Sequence, residues 1–247
     1  MNKLRFQEAC NKIINIDRQR NGIGTLGEKT LHAVLKSYFE PFEDNQEIKL
    51  GNYVADIASE NGVIEIQTQS LNALRNKLEA FLEYCNVTVV YPIAKIKYLS
   101  WLDVKTGEKS KRRKSPKCGS IYDSMRELYK IKYTLDNPRM NVCLVMLEME
   151  EIRYLDGWSF DKKKGSTRCD RIPINLLDEL YFGRPADYSI FIPKNLPEEF
   201  TSKDLAKCAR IQLRTAQTTL NILSYLNVVT KCGKNGNTII YNRNFNE

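Results

Sequence analysis

One Asp, two Glu and two Gln sit in the stretch "VADIASENGVIEIQTQ" (54–69), which otherwise alternates like a pair of strands. Asn61-Gly62 is a strong hairpin signal, because a type I′ turn needs positive φ at both central residues. A turn there pairs Glu60 with Val63, Ala58 with Glu65 and Asp56 with Gln67. Side chains alternate faces along a strand, so Asp56, Ala58, Glu65, Gln67 and Gln69 share one face. Ile57, Ile64 and Ile66 share the other, which is the expected core face. Asp56 and Glu65 then stand diagonally across the hairpin, with Cβ atoms about 7–8 Å apart. Two carboxylates at that separation can converge on one hard cation. Mg²⁺ takes one or two carboxylates and fills its other positions with water and phosphate oxygens. The competing reading is a solvated hairpin face on which any polar residues would serve. Ala58 leaves space between the acids, and Glu28, just after a glycine on the preceding helix, can point at the same spot. His32, four residues further on, reads as a packing residue.

The elements that must hold this face can be read around it. "GTLGEKTLHAVLKSYF" (24–39) has helical spacing at Leu31, Val34, Leu35 and Tyr38, and Pro41 follows it. "QEIKL" reads as a strand, with Gly51-Asn52 as its turn into the hairpin. "SLNALRNKLEAFLEYC" (70–85) reads as a helix capped by Ser70, and "NVTVVYPI" (86–93) as a short strand bounded by Pro92. Helix, three strands, helix, strand is the order of a mixed α/β core. Further on, "IKYLSWLDVKTGE" reads as a hairpin, "YDSMRELYKIKYTL" as helical and "NVCLVMLEMEEIRYL" as a long strand. "DKKKGSTRCDRIP" (161–173) reads as a basic loop. "FIPKNLPEEF" (191–200) reads as a linker between an α/β domain, 1–195, and a smaller domain, 196–247.

The chain has 247 residues and a formal net charge of +8, which favours polyanionic partners. The charge is placed rather than spread. Six of the nine residues in "KSKRRKSPK" (109–117) are basic, among them Lys111, Arg112, Arg113, Lys114 and Lys117. From Thr201 onward seven Lys and Arg face two acids. No stretch approaches the ~20 apolar residues of a membrane span. The first 20 residues lack the apolar core of a signal peptide. Seven dispersed cysteines and a single His argue against a zinc cage and fit reduced thiols in a cytoplasm.

The C-terminal part has its own outline. "FTSKDLAKCAR" reads as a helix capped by Thr201 or Ser202, and the next helix carries Leu213, Ala216, Leu220, Leu223 and Leu226 as an apolar stripe. A hairpin around Lys234-Asn235-Gly236 follows. This is the outline of a winged helix-turn-helix. Gln212, Arg214, Thr215, Gln217 and Thr218 fall at the start of the second helix, where such proteins meet base edges, and Lys231 and Lys234 fall on the wing. Winged helices also serve as protein-interaction modules.

"GEKTLHAVLKSYF", "VADIA" and "VIEIQTQS" together resemble the PD-(D/E)XK nuclease superfamily over residues 22–93. The resemblance implies a restriction-endonuclease-like core that hydrolyses phosphodiester bonds in DNA, duplex DNA above all, with Mg²⁺ or Mn²⁺. Asp56 matches the first acid, Glu65 the second and Glu28 the helical Glu, with the metal held by Asp56, Glu65 and the Ile66 carbonyl. Gln67 stands where most members carry Lys. It can orient a water but offers neither base nor positive charge. Lys77 and Lys29 are candidates for a displaced lysine. A homodimer is one arrangement by which such enzymes cut both strands. Two rival functions stay open: an inactive nuclease-fold DNA-binding regulator, favoured by Gln67, and an RNA-processing factor.

Overall fold

The computed structural model describes residues 1–20, 29–157 and 167–244. An N-terminal helix, α1 (Lys3–Arg20), precedes α2 (Thr30–Phe39) and the strands β1 (Gln46–Leu50), β2 (Tyr53–Ser59) and β3 (Gly62–Ile66). Then come α3 (Arg75–Leu82), β4 (Val87–Leu102), β5 (Arg113–Lys114), the one-turn α4 (Met125–Leu128), β6 (Met140–Tyr154) and β7 (Arg168–Phe182). The fold is α/β, with a mixed sheet of seven strands in the order β1-β2-β3-β4-β6-β7 and β5 paired to β4. β3, β4 and β6 run parallel to one another and the outer pairs are antiparallel.

Alternation decides which side each residue serves. Ile57, Ile66, Val90, Cys143 and Val145 face α1 and α2, whose Phe6, Leu31, Val34 and Leu35 are buried against them. Val87, Val89, Val142 and Leu144 face the opposite layer, with Leu78 and Phe81 of α3 and Met125 and Leu128 of α4.

Several elements depart from the sequence reading. α2 begins at Thr30 with Lys29 extended before it, and Glu28 lies outside the described residues. β4 does not stop at Pro92 but continues to Leu102, paired with β6 throughout. The imide of Pro92 can sit there because β3 has ended, so its nitrogen faces an open edge and no ladder bond is lost. The expected basic loop 161–173 is strand from Arg168 onward, and residues 158–166 lie outside the described residues. Ser70 does not cap with its side chain. A 3-10 turn (Leu71–Leu74) precedes α3, the Leu71 N–H donates to Glu127, and the Ser70 hydroxyl accepts from Lys130.

The C-terminal unit contains a three-stranded sheet, β8 (Glu199–Thr201), β9 (Val229–Asn235) and β10 (Thr238–Arg243), with α5 (Ser202–Ala209) and α6 (Leu213–Tyr225). Thr201 caps α5 through a capping box with Asp204. Leu205, Ala216, Leu220 and Leu223 join the same buried cluster as Met125 and Leu128. The segment read as a linker contributes buried Phe191, Leu196 and Phe200 to that cluster.

Candidate functional site at a strand fork

β2 and β3 pair only from Ile57↔Ile64 to Ser59↔Gly62, a register two residues tighter than a turn centred on Asn61-Gly62 requires. Glu60 and Asn61 form the loop, and Gly62 takes φ +117 at the start of β3. The faces survive this shift, because a slip of two residues keeps parity, but Asp56 and Glu65 now stand across from each other rather than diagonally. Beyond them the strands part, β2 staying with β1 and β3 with β4.

The two acids bridge the fork reciprocally. The Ile66 N–H donates to Asp56 Oδ2 at 2.7 Å, and the Asp56 N–H donates to Glu65 Oε1 at 3.3 Å. Each carboxylate thus satisfies a backbone donor that the parted ladder leaves open. Two more side chains close on them. Lys77 of α3 places Nζ 2.6 Å from Glu65 Oε2, and His32 of α2 places Nε2 3.3 Å from Asp56 Oδ2. Helices from opposite faces of the sheet therefore supply one partner each.

Burial and charge separate the two acids. Glu65 is 1% exposed; burial and the Asp56 carboxylate push its pKa up to about 7 against the pull of Lys77. Burial also acts on Asp56, but hydrogen bonding and charge from His32, the Ile66 N–H and the charge of Lys77 outweigh it and hold its carboxyl below the ordinary range. Opposed shifts on neighbouring carboxyls mark sites built for charge.

Among the described residues no group of three or more His, Cys, Asp and Glu is gathered for a metal. The donors at the fork are hard oxygens from two carboxylates, and none of the bonds above engages Asp56 Oδ1. This set fits a cation that fills its remaining positions with water and phosphate oxygens.

Gln67 follows on the same segment, its N–H bonded to the Val90 carbonyl and its side-chain oxygen accepting from the Gln69 N–H. Arg171 reaches over from β7 to donate to the Thr68 carbonyl at 2.7 Å, and burial brings its pKa down to about 10. Of the residues read from sequence, Asp56, Glu65 and Gln67 therefore share the fork with Ile66, and Lys77 joins them through its bond to Glu65. His32, which the sequence presents as a packing residue, instead meets Asp56; its place on the α2 face turned toward the strands is the available signal. Arg171 lies more than a hundred residues along the chain, and nothing in its local sequence announced it.

The basic run lies against the sheet. Arg113 and Lys114 pair with Leu99 and Tyr98, so the run lies along β4 on the edge that β3 vacates. Arg112 stacks over Tyr98 and Arg113 over Trp101, while Lys111 through Lys114 stay exposed. On α6, Gln212, Arg214 and Gln217 are exposed and Thr215 and Thr218 half-buried; Lys231 and Lys234 are exposed on β9.

The family model for a domain of unknown function (DUF8091) matches residues 29–183, and the chain belongs to that family. An uncharacterized protein of Treponema pallidum (strain Nichols) is 30% identical over 223 residues, covering 90% of this chain and 87% of the relative. No solved structure matches. The family match spans the sheet, the fork and Arg171 and ends before the C-terminal unit. No helix among the described residues is long and apolar enough to cross a membrane.

Proposed function

We propose that this protein is a metal-dependent nuclease of the PD-(D/E)XK kind, with a C-terminal winged helix-turn-helix that binds nucleic acid. The observation that carries the proposal is the fork itself. Asp56 and Glu65 meet where two strands part, and Lys77 brings from α3 the cation that Gln67 does not supply. In the C-terminal unit a 3-10 segment (Pro185–Phe191), β8, α5, α6 and the β9–β10 hairpin follow in the order of a winged helix.

Asp56, Glu65 and the main chain at Ile66 would hold Mg²⁺ or Mn²⁺, which when bound polarises a phosphate and lowers the pKa of a water. His32 orients Asp56 and keeps it charged. Lys77 offsets the cost of burying Glu65 and places a positive charge beside the fork. Gln67, with its oxygen taken by Gln69, presents its amide N–H groups to an attacking or phosphate oxygen.

A second reading has its own observation. Lys77 already neutralises Glu65, and the acids close the fork through backbone bonds, so the same residues can brace a scaffold without a metal. The deciding experiment is calorimetric titration of Mn²⁺ into the wild type, Asp56→Asn and Glu65→Gln, followed by cleavage assays on oligonucleotides in Mn²⁺. Binding lost in both folded variants, with cleavage lost alongside, is the expected result. A wild type that binds no Mn²⁺ overturns the nuclease reading and leaves the scaffold.

A further inference from the structure

The start of α6 does not stand clear of the α/β sheet. With α4 and the 3-10 segment after it (Tyr129–Thr134), it walls a groove of about 560 Å³. Four cations line that groove, Lys117, Arg126, Lys130 and Arg214, against one acid, Asp123. Lys130 is tied to Glu127 and to Ser70. The side chains of Lys117, Arg126 and Arg214 make no hydrogen bond or ion pair among the described residues. The Asp123 carboxylate is itself spent on the Ser120 N–H. Tyr129, 47% exposed, and Tyr122 stand in the wall, and Gln212, Thr215 and Thr218 add neutral hydrogen-bonding groups from α6.

Lys117 and Asp123 also border a smaller hollow of about 260 Å³, lined by β4 at Tyr91, Pro92 and Ala94, with Gly119, whose N–H donates to the Ala94 carbonyl, and Lys97 beside it. Val90, next to Tyr91, accepts the Gln67 N–H. The groove therefore runs by way of this hollow toward the end of β3 that carries Glu65. Lys130, bonded to Ser70, fixes its border to the segment that follows Gln67.

The other end of α6 is fastened down. Lys132 donates to Asn221 at 3.0 Å and lies over the rings of Tyr129, Tyr133 and Tyr225, while the Tyr225 hydroxyl donates to Asp136 at 3.0 Å. A duplex major groove about 12 Å wide admits a recognition helix led by its N-terminal residues. One flank of α6 is occupied by α4 and the segment after it. Unpaired cations beside the exposed ring of Tyr129, which Lys132 covers on one face, form a different surface: a track for phosphates with a ring on which an unpaired base stacks.

We propose that this groove binds single-stranded nucleic acid and leads it to the strand fork. The binding stands without a metal; only the delivery to a reacting centre rests on the nuclease reading. The test is fluorescence anisotropy of the full chain with a labelled 12-nucleotide single-stranded DNA and with a 12-base-pair duplex, in EDTA so that no cleavage intervenes. The wild type is expected to bind the single strand at least ten-fold more tightly than the duplex. Arg126→Ala with Arg214→Ala should weaken single-strand binding ten-fold or more and lower its salt slope by about 1.4, two phosphates at about 0.7 each. Tyr129→Leu should weaken it five-fold or more while Tyr129→Phe keeps it, which separates ring stacking from loss of the fold. Because the assay runs in EDTA it reads binding without metal or cleavage, so a failed nuclease reading cannot pass for a failed groove. Duplex binding equal to or tighter than single-strand binding, or unchanged affinity in the arginine pair and in Tyr129→Leu, overturns the proposal.

Discussion

Replacing Lys77 by Met removes the cation bonded to the buried Glu65 carboxylate and leaves most of the apolar stem in place. Its cost depends on whether Glu65 is ionised, so it must vary with pH. In the wild type, burial and Asp56 raise the Glu65 pKa from 4.5 to about 7. A raised folded-state pKa means that the folded protein holds its proton longer than the unfolded chain. The associated stability is fully present below about 4.5 and is lost as pH rises through about 7. Without Lys77 the folded carboxyl holds its proton to still higher pH, so the loss continues where the wild type has levelled off. Each pH unit of that continuation is worth up to about 1.4 kcal/mol.

At pH 5 Glu65 is neutral in both proteins, and Lys77→Met should cost only a hydrogen bond, about 1 kcal/mol. At pH 9 the cost should approach 3 to 5 kcal/mol, roughly the value of breaking a buried pair from one side. With a urea slope of about 3 kcal/mol/M, the midpoint difference grows to about 1 M or more. The assay is urea unfolding of both proteins in EDTA at pH 5, 7 and 9. A difference that stays constant across that range would refute the reasoning, because it would mean that Glu65 never carries the charge Lys77 is there to meet.

Gly62→Ala should lower the melting temperature by about 9 °C, from a cost of about 3 kcal/mol. Gly62 sits at φ +117, and a Cβ would lie 2.4 Å from the Asn86 carbonyl oxygen; calorimetry checks it, and an unchanged transition counts against the close approach. Exchanging Lys111, Arg112, Arg113 and Lys114 for Ala should reduce the salt slope of duplex DNA binding by about 3.6, four phosphates at about 0.9 each, with an unchanged slope removing the run from the interface. Thr201→Ala should cost about 1 kcal/mol by chemical denaturation, since it opens the capping box with Asp204 at the start of α5.

What the sequence made legible here follows from the range of the forces involved. Parity along β2 and β3 is local, so the acid-bearing face was readable even though the turn was placed one residue late on each side. The capping box at Thr201 and Asp204 is local as well. The same holds for the apolar stripe of α6. Pro92 misled because a proline ends a strand only when its missing N–H would have been in a ladder. Whether β3 still ran beside it is a tertiary fact. The basic run carries no strand signal in the sequence, because its partners, Tyr98 and Trp101, attract it through their ring faces rather than through any hydrophobic period. His32 and Lys77 were both in view as residues but not as a pair, since their meeting depends on two helices lying on opposite faces of one sheet and closing on the same fork. Arg171 depends on the whole sheet order, with β7 brought round so that a guanidinium reaches the Thr68 carbonyl. The chemistry-bearing residues lay in one short hairpin, but the groups that set their charge come from every layer of the fold. The charge state at the fork is therefore the property most sensitive to how those layers pack, and it is where Lys77→Met acts.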